Sequence, residues 1–198
     1  GNVTTTADTT NATIDSNTPS APSNALDLIA SSDTGTSDTD DITKDTTTTL
    51  RVDLTGTGRV SGDIVEVLLG GSPLVTPAKA TLEGTDITNN YVDITVTDGD
   101  LGADGDKVFT ARVTDAAGNV GTAGGSLTVT LDTTAPGSGA SAPVIDVLTV
   151  SDTGTNTSDN ISSDATPQVS ISFSNTGAAS GDTVKLYAGS SVIATGIL

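Results

Sequence analysis

The five residues Ser32-Asp33-Thr34-Gly35-Thr36 return unchanged as Ser151-Asp152-Thr153-Gly154-Thr155, 119 positions further along. From there the two copies run in register without a gap. Asp40, Ile42 and Asp45 recur as Asp159, Ile161 and Asp164, and Ser61-Gly62-Asp63 recurs as Ser180-Gly181-Asp182. At the front, Gly1-Asn2-Val3 reappears as Gly118-Asn119-Val120, 117 positions on. A fixed long period is the mark of a tandem array of one folded unit. The sequence thus reads as a window on an array: the tail of one repeat (1–22), a complete repeat (23–136) and the opening part of a third (137–198).

A unit of this length is large enough for one small domain with its own core. Its composition selects the class. There are 38 Thr, 22 Gly and 23 Asp against two Glu, with no Cys, Met, Trp or His. Thr, Val and Ile favour pleated strands, whereas Gly, Asp, Asn and Ser punctuate turns. Strand-like runs fall at 26–30, 48–54, 63–69, 78–82, 91–96, 108–113 and 126–131. Leu50, Val52 and Leu54 alternate with polar neighbours, as do Val92, Ile94 and Val96, and Leu127, Val129 and Leu131. Each such run has one inward and one outward face. Seven short strands separated by Gly/Asp turns predict an all-β fold, an immunoglobulin-like seven-stranded β-sandwich repeated in tandem.

Several function classes are disfavoured on chemistry. A net charge of −18 argues against nucleic acid and against anionic membrane surfaces. No stretch has the apolar length of a spanning helix. Without His or Cys the usual general bases and nucleophiles are missing, so the expectation is a non-enzyme. Absence of Cys also excludes disulfides as a source of stability.

The informative residues are the aspartates. The loop after the first run carries Asp33, Asp38, Asp40, Asp41 and Asp45, and the loop before the sixth carries Asp98, Asp100, Asp104 and Asp106. Asp132 ends the seventh run. An alternating strand order places all of them at one pole. Crowded carboxylates repel one another, and calcium, a hard cation taking six to eight oxygens at about 2.3–2.6 Å, would relieve that cost. Short Asp side chains on Gly-rich turns suit such a cage. At the opposite pole lie Asp63, its second-copy equivalent Asp182, and Asp115, with Asp15 supplied by the preceding repeat. The expectation is therefore Ca2+ bound by Asp33, Asp40, Asp45, Asp132, Asp98, Asp100, Asp104, Asp106, Asp63, Asp115, Asp15 and Asp182, shared across junctions between neighbouring repeats. Asp38, Asp41 and Asp53 do not recur in the second copy and read as solvated charge. Neither loop fits the helix-loop-helix calcium pattern or the nonapeptide β-roll repeat.

Three motifs in order carry a family resemblance: Ser32-Asp33-Thr34-Gly35 with Asp40-Asp41-Ile42-Thr43-Lys44-Asp45, then Thr114-Asp115-Ala116-Ala117-Gly118-Asn119-Val120, then Leu131-Asp132-Thr133-Thr134-Ala135-Pro136. At these residues the chain resembles the bacterial immunoglobulin-like extender repeats of giant type I-secreted and biofilm-associated surface adhesins. The resemblance implies an extracellular location at the bacterial surface, a role in holding a distal adhesive region away from the cell, and junction calcium with Asp33, Asp40, Asp45 and Asp132 as ligands.

Rival readings start from other residues. Loops on a sandwich are recognition surfaces, so a glycan- or protein-binding adhesion module is the alternative; recognition patches use aromatic and Arg anchors, of which the complete repeat offers two aromatics and Arg51, Arg59 and Arg112. The partial repeats at both ends would also permit lateral association or strand exchange between chains. Thr-rich runs (4–6, 46–49) and Asn-x-Ser/Thr patterns at Asn2, Asn11, Asn156 and Asn160 follow from the composition alone.

Overall fold

The computed structural model describes residues 13–24, 26–35, 37–56, 58–136 and 142–198. The front-end motif at Gly1, the Thr run at 4–6 and the patterns at Asn2 and Asn11 lie outside them. The chain forms two compact units, Gly1–Asp132 and Thr133–Leu198.

Among the described residues, unit 1 contains nine strands and one short helix: β1 (Asp27–Leu28), β2 (Ile42–Thr43), β3 (Thr49–Asp53), β4 (Ile64–Leu69), β5 (Ser72–Pro73), β6 (Lys79–Thr81), α1 (Gly84–Asn89), β7 (Tyr91–Thr95), β8 (Gly105–Thr114) and β9 (Gly124–Leu131). They build two sheets. One has the order β1-β3-β7; the other runs β2-β9-β8-β4-β5, with β6 also paired to β4. All pairings are antiparallel except β2 with β9, which is parallel. This is an all-β, immunoglobulin-like sandwich.

All seven sequence runs are found as strands. The fourth run, β6, adds to β4 rather than to β7, with Ile64 opposite Thr81 and Glu66 opposite Lys79. Three elements were not anticipated. Strands β2 and β5 are each two residues long, too short to show any alternation. Helix α1 is built from Gly, Thr and Asn, poor helix formers, and local bonds hold it. The Asp86 carboxylate accepts the Glu83 N–H at 2.8 Å, and the Thr88 hydroxyl donates to the Gly84 carbonyl. Asn90 ends it in the left-handed region, φ 61°.

The core is aliphatic around one ring. Leu50, Val52, Leu54, Val65, Val67, Phe109, Ala111, Val113 and Val129 are fully buried. Each fully buried Val, Leu or Phe side chain contributes about 1.5–3 kcal/mol relative to exposure. On the outer faces, register pairs become ion pairs. Arg51 lies opposite Asp93 and donates to it through two nitrogens, at 2.7 and 2.8 Å. Arg112 lies opposite Glu66 and does the same to a single carboxylate oxygen.

The described residues of unit 2 repeat the first half of this plan. Strands β10 (Val144–Val147) and β11 (Val169–Ser172) pair as β1 and β3 do, with Asp146 opposite Ser170 where unit 1 has Asp27 opposite Arg51. A hairpin of β12 (Thr183–Ala188) and β13 (Ser191–Ile197) follows. Val169, Ile171, Val184 and Leu186 take the places of Leu50, Val52, Val65 and Val67, and they are half-buried instead of fully buried.

Candidate functional site

The strand pairing brings the β1–β3 loop, the 97–104 loop and the end of β9 to one pole. Gly105 opens β8 opposite Leu131, Thr95 closes β7 opposite Thr49, and Thr43 lies beside Leu131. Asp63 and Asp115 lie at the other pole.

The β1–β3 loop is organised by side chains bonding to main chain. The buried Ser32 hydroxyl donates to Asp45 Oδ2 and accepts the Thr49 N–H, both at 3.0 Å. Asp45 Oδ1 accepts the N–H and hydroxyl of Thr47, both at 2.8 Å. The Thr43 hydroxyl donates to the Ser32 carbonyl and accepts the Asp45 N–H. Asp33 Oδ2 accepts the Asp41 N–H at 3.1 Å, and Asp40 Oδ1 accepts the Ile42 N–H. Asp41 sits in the left-handed region at φ 58°, which Asp tolerates better than most residues. Burial pushes the Asp45 carboxyl up, but the Thr47 N–H and hydroxyl and the Ser32 hydroxyl outweigh it and hold the group below its ordinary range. Asp41 moves the other way, raised by burial first and then by the charges of Asp33, Asp27 and Asp40.

This network recurs bond for bond in unit 2. Ser151 donates to Asp164 and accepts from Gln168; Asp164 accepts from Thr166; Ser162 donates to the Ser151 carbonyl; Asp152 accepts the Asn160 N–H; Asp159 accepts the Ile161 N–H. Asn160 occupies the left-handed position at φ 59°. The Thr166 N–H, followed by the Ser151 hydroxyl, holds Asp164 low as well.

The remaining candidates are dispersed. Asp98 is exposed. Asp100 accepts the Thr76 N–H at 3.0 Å, Asp106 accepts the Thr130 hydroxyl at 2.9 Å, and Asp104 and Asp132 are exposed. Asp115 closes its turn by accepting the Asn119 side chain and N–H at 2.9 and 2.8 Å, and the Asn119 side-chain bond leads in keeping its carboxyl low. Asp15 accepts the Asn17 N–H on its side chain, and its carbonyl accepts Asn119 Nδ2. Asp63 and Asp182 cap equivalent turns, accepting the N–H of Val60 and of Ala179. Sharing a pole therefore did not make a cage: among the described residues, no three acidic groups gather closely enough to hold a metal ion. The physical reason is competition, because main-chain N–H, hydroxyl and amide donors hold at least one oxygen of most of these carboxylates.

Three buried oxygens lie outside that competition. Asp33 Oδ1, Asp63 Oδ1 and Asp152 Oδ1 are buried with no hydrogen-bond partner among the described residues. A buried carboxylate oxygen without a donor carries a desolvation cost. Asp33 and Asp152 are equivalent positions of the two copies, so the same oxygen is left open twice. The recurrence of Asp33 was legible in the sequence; that only one of its two oxygens is engaged was not.

Comparison with known proteins adds the class. No curated protein matches the chain. The profile of the bacterial Ig-like domain matches residues 18–133, more than half of the chain and spanning every element of unit 1 from β1 to β9. The sandwich, the two-residue parallel strand β2 and the first copy of the repeated loop all fall within that match, and the chain belongs to the bacterial Ig-like domain family.

Proposed function

We propose that this chain is a non-catalytic extender segment of a repetitive bacterial surface adhesin, one that projects a distal binding region in adhesion and biofilm formation and takes up calcium. Membership of the bacterial Ig-like family supports a structural module. The internal period supports an array. Among the described residues, no helix is long and apolar enough to cross a membrane.

The observation that carries the calcium part is the twice-repeated open oxygen of Asp33 and Asp152. These would be the anchoring ligands. Asp45 and Asp164, engaged by three donors each, are the least available. With no carboxylate trio among the described residues, the rest of the shell would come from main-chain carbonyls and water, and the affinity would fall in the range of extracellular modules, about 10⁻⁴–10⁻³ M. Bound calcium would neutralise the pole and stabilise the fold by linkage.

Thermal unfolding of the chain after chelation, with calcium titrated back and magnesium as control, tests this. The expected result is a calcium-specific rise in Tm that Asp33→Asn in unit 1 reduces. A Tm indifferent to millimolar calcium would remove calcium from the reading while leaving the extender role in place.

One cleft favours the ligand-binding alternative. Asp27, Arg51, Asp53, Thr55, Asn89, Asn90 and Tyr91 line a polar depression of about 290 Å3, where the Arg51 guanidinium lies 3.8 Å from the Tyr91 ring centroid. Unit 2 has Ser170 and Ser172 in place of Arg51 and Asp53, so the fold of the repeat does not require this charge. Chemical-shift titration with neutral oligosaccharides, read at Asn89–Tyr91 amides, decides whether the cleft binds them.

A further inference from the structure

Residues 13–22 read in the sequence as the end of a preceding repeat and a short linker, yet they belong to unit 1, and 19–24 lie directly against its sandwich. The contact is made over glycines. A Cβ added to Gly121 would stand 2.5 Å from the Pro19 carbonyl oxygen, and one added to Gly124 would meet the Pro22 carbonyl closer still, with Ala21 Cβ at 3.1 Å. A Cβ on Gly125 would strike the Asn24 carbonyl and stand 3.0 Å from Leu26 Cδ1. Main chain therefore rests on main chain at three successive points. The segment is also tied at both ends. Asn119 Nδ2 donates to the Asp15 carbonyl at 3.1 Å, and Asn24 Nδ2 donates to Asp53 Oδ2 at 2.8 Å. Between these ties Pro22 is buried and Pro19 half-buried. Two prolines limit the freedom the segment has to lose on docking, and they leave no N–H to satisfy.

Backbone conformation separates the reasons for these glycines. Gly125 has φ +65°, which alone favours glycine there. Gly121 and Gly124 have no such requirement; a side chain would be conformationally acceptable at both. What excludes it is the segment lying on top. Closeness of approach is the second reason a fold uses glycine, and here it acts alone.

We infer that residues 19–24 form a strap seated on the glycine track 121–125, and that this seat fixes the N-terminal approach to the repeat by main-chain packing, without a bound cation. The strap lies against the start of β9, whereas the β1–β3 loop meets its other end at Leu131, so it is separate from any calcium taken up around Asp33. It stands or falls independently of the calcium reading.

The test is 15N relaxation of the 198-residue chain in chelator. Ala21 and Asn24 amides should show order parameters near those of rigid backbone, about 0.85, and should drop below about 0.6 in Gly124→Ala and in Gly121→Ala. Gly84→Ala is the control. Its φ is not positive and its Cβ would meet nothing within 4 Å, so the strap should stay rigid. Wild-type values already below about 0.6 in chelator would overturn the inference, as would rigid values unchanged in both track variants. Flexibility that calcium alone cures would also overturn it, assigning the rigidity to the ion. If a variant loses the dispersed amides of β8 and β9, the wild-type values in chelator still decide.

Discussion

The loop 32–49 and its copy 151–168 hold one hydrogen-bond pattern in two very different settings. In unit 1 the loop sits above a closed sandwich in which Leu50, Val52 and Phe109 have no exposure at all. In unit 2 the same loop spans a two-stranded sheet whose Val169 and Ile171 are only half-buried, and among the described residues no counterpart of β7, β8 or β9 covers them. Yet Ser151, Asp152, Ser162 and Asp164 make the bonds that Ser32, Asp33, Thr43 and Asp45 make. The shape of the loop is therefore written in short-range bonds from Ser, Thr and Asp side chains to nearby main chain, the kind that compete with regular structure and define turns. The core beneath does not impose it. The strands depend on the core; the loop depends on itself.

Core truncation gives the largest contrast. Leu50→Ala removes a fully buried side chain and should cost unit 1 about 2–5 kcal/mol. Val169→Ala, at the equivalent half-buried position, should cost about 1 kcal/mol or less. Denaturant unfolding measures both. In conditions where Leu50→Ala remains folded, amide shifts of 33–45 should stay as in the parent. If the loop signals collapse with the core, its autonomy is refuted.

Next in size comes the hub of the loop. Ser32→Ala leaves Asp45 Oδ2 without its donor and the Thr49 N–H without its acceptor, an expected loss of about 1–3 kcal/mol. Ser151→Ala breaks the equivalent bonds to Asp164 and Gln168 in a more exposed setting, so the loss should be smaller. Hydrogen exchange at the Thr49 and Gln168 amides reads each directly. Equal acceleration with equal global loss would mean that burial adds nothing to this network.

Much of this was readable in advance, and the limits have physical causes. Runs such as 50–54 and 92–96 alternate because one face of each strand meets the core, and alternation survives in sequence. Strand β2 carries no such signal, since two residues held by parallel pairing to Thr130 and Leu131 have no period. The loop motif was legible as a recurrence, but recurrence does not tell a ligand from a hydrogen-bond acceptor. Asp45 recurs because Ser32 and Thr47 need it, an explanation that requires knowing which donors stand within reach. The strap seat was hidden for a related reason. Gly121, Gly124 and Gly125 resemble turn glycines until the segment from 19 to 24 is found against them.

Acid titration should separate the two kinds of aspartate in the loop. Asp45, Asp164 and Asp115 have carboxyls held below the ordinary range. Their contribution is present above the unfolded-state value, about 3.9, and is lost as pH falls through the lower folded-state values. Asp41 is raised, so its ionisation weakens the fold near neutrality, and protonation relieves that as pH falls through its raised value. Unfolding free energy of unit 1 should thus rise slightly on acidification towards about pH 4 and fall below it. Asp45→Asn should flatten the fall. A stability that only declines from neutrality downward would show that burial and the neighbouring charges do not raise the Asp41 carboxyl.

The smallest effect is the sharpest comparison, because the two copies already contain it as a natural exchange. Asp41 and Asn160 share a left-handed conformation, φ 58° and 59°, and each donates its N–H to the aspartate eight residues before it. They differ in charge, and Asn160 Oδ1 also accepts the Val147 N–H at 2.9 Å. Asn is at least as tolerant of that conformation as Asp, and it carries no charge beside Asp33, Asp40 and Asp27. Asp41→Asn should therefore stabilise unit 1 by roughly 0.5 kcal/mol, the scale of a screened like-charge contact, and should remove the rise in stability towards about pH 4. Asn160→Asp should do the reverse in unit 2, beside Asp152 and Asp159. Both effects should shrink in high salt, where charges this exposed are screened. Should Asp41→Asn destabilise instead, the charge at 41 has a favourable partner, and a cation held with Asp33 is the candidate: repeating the measurement in chelator would then abolish the loss.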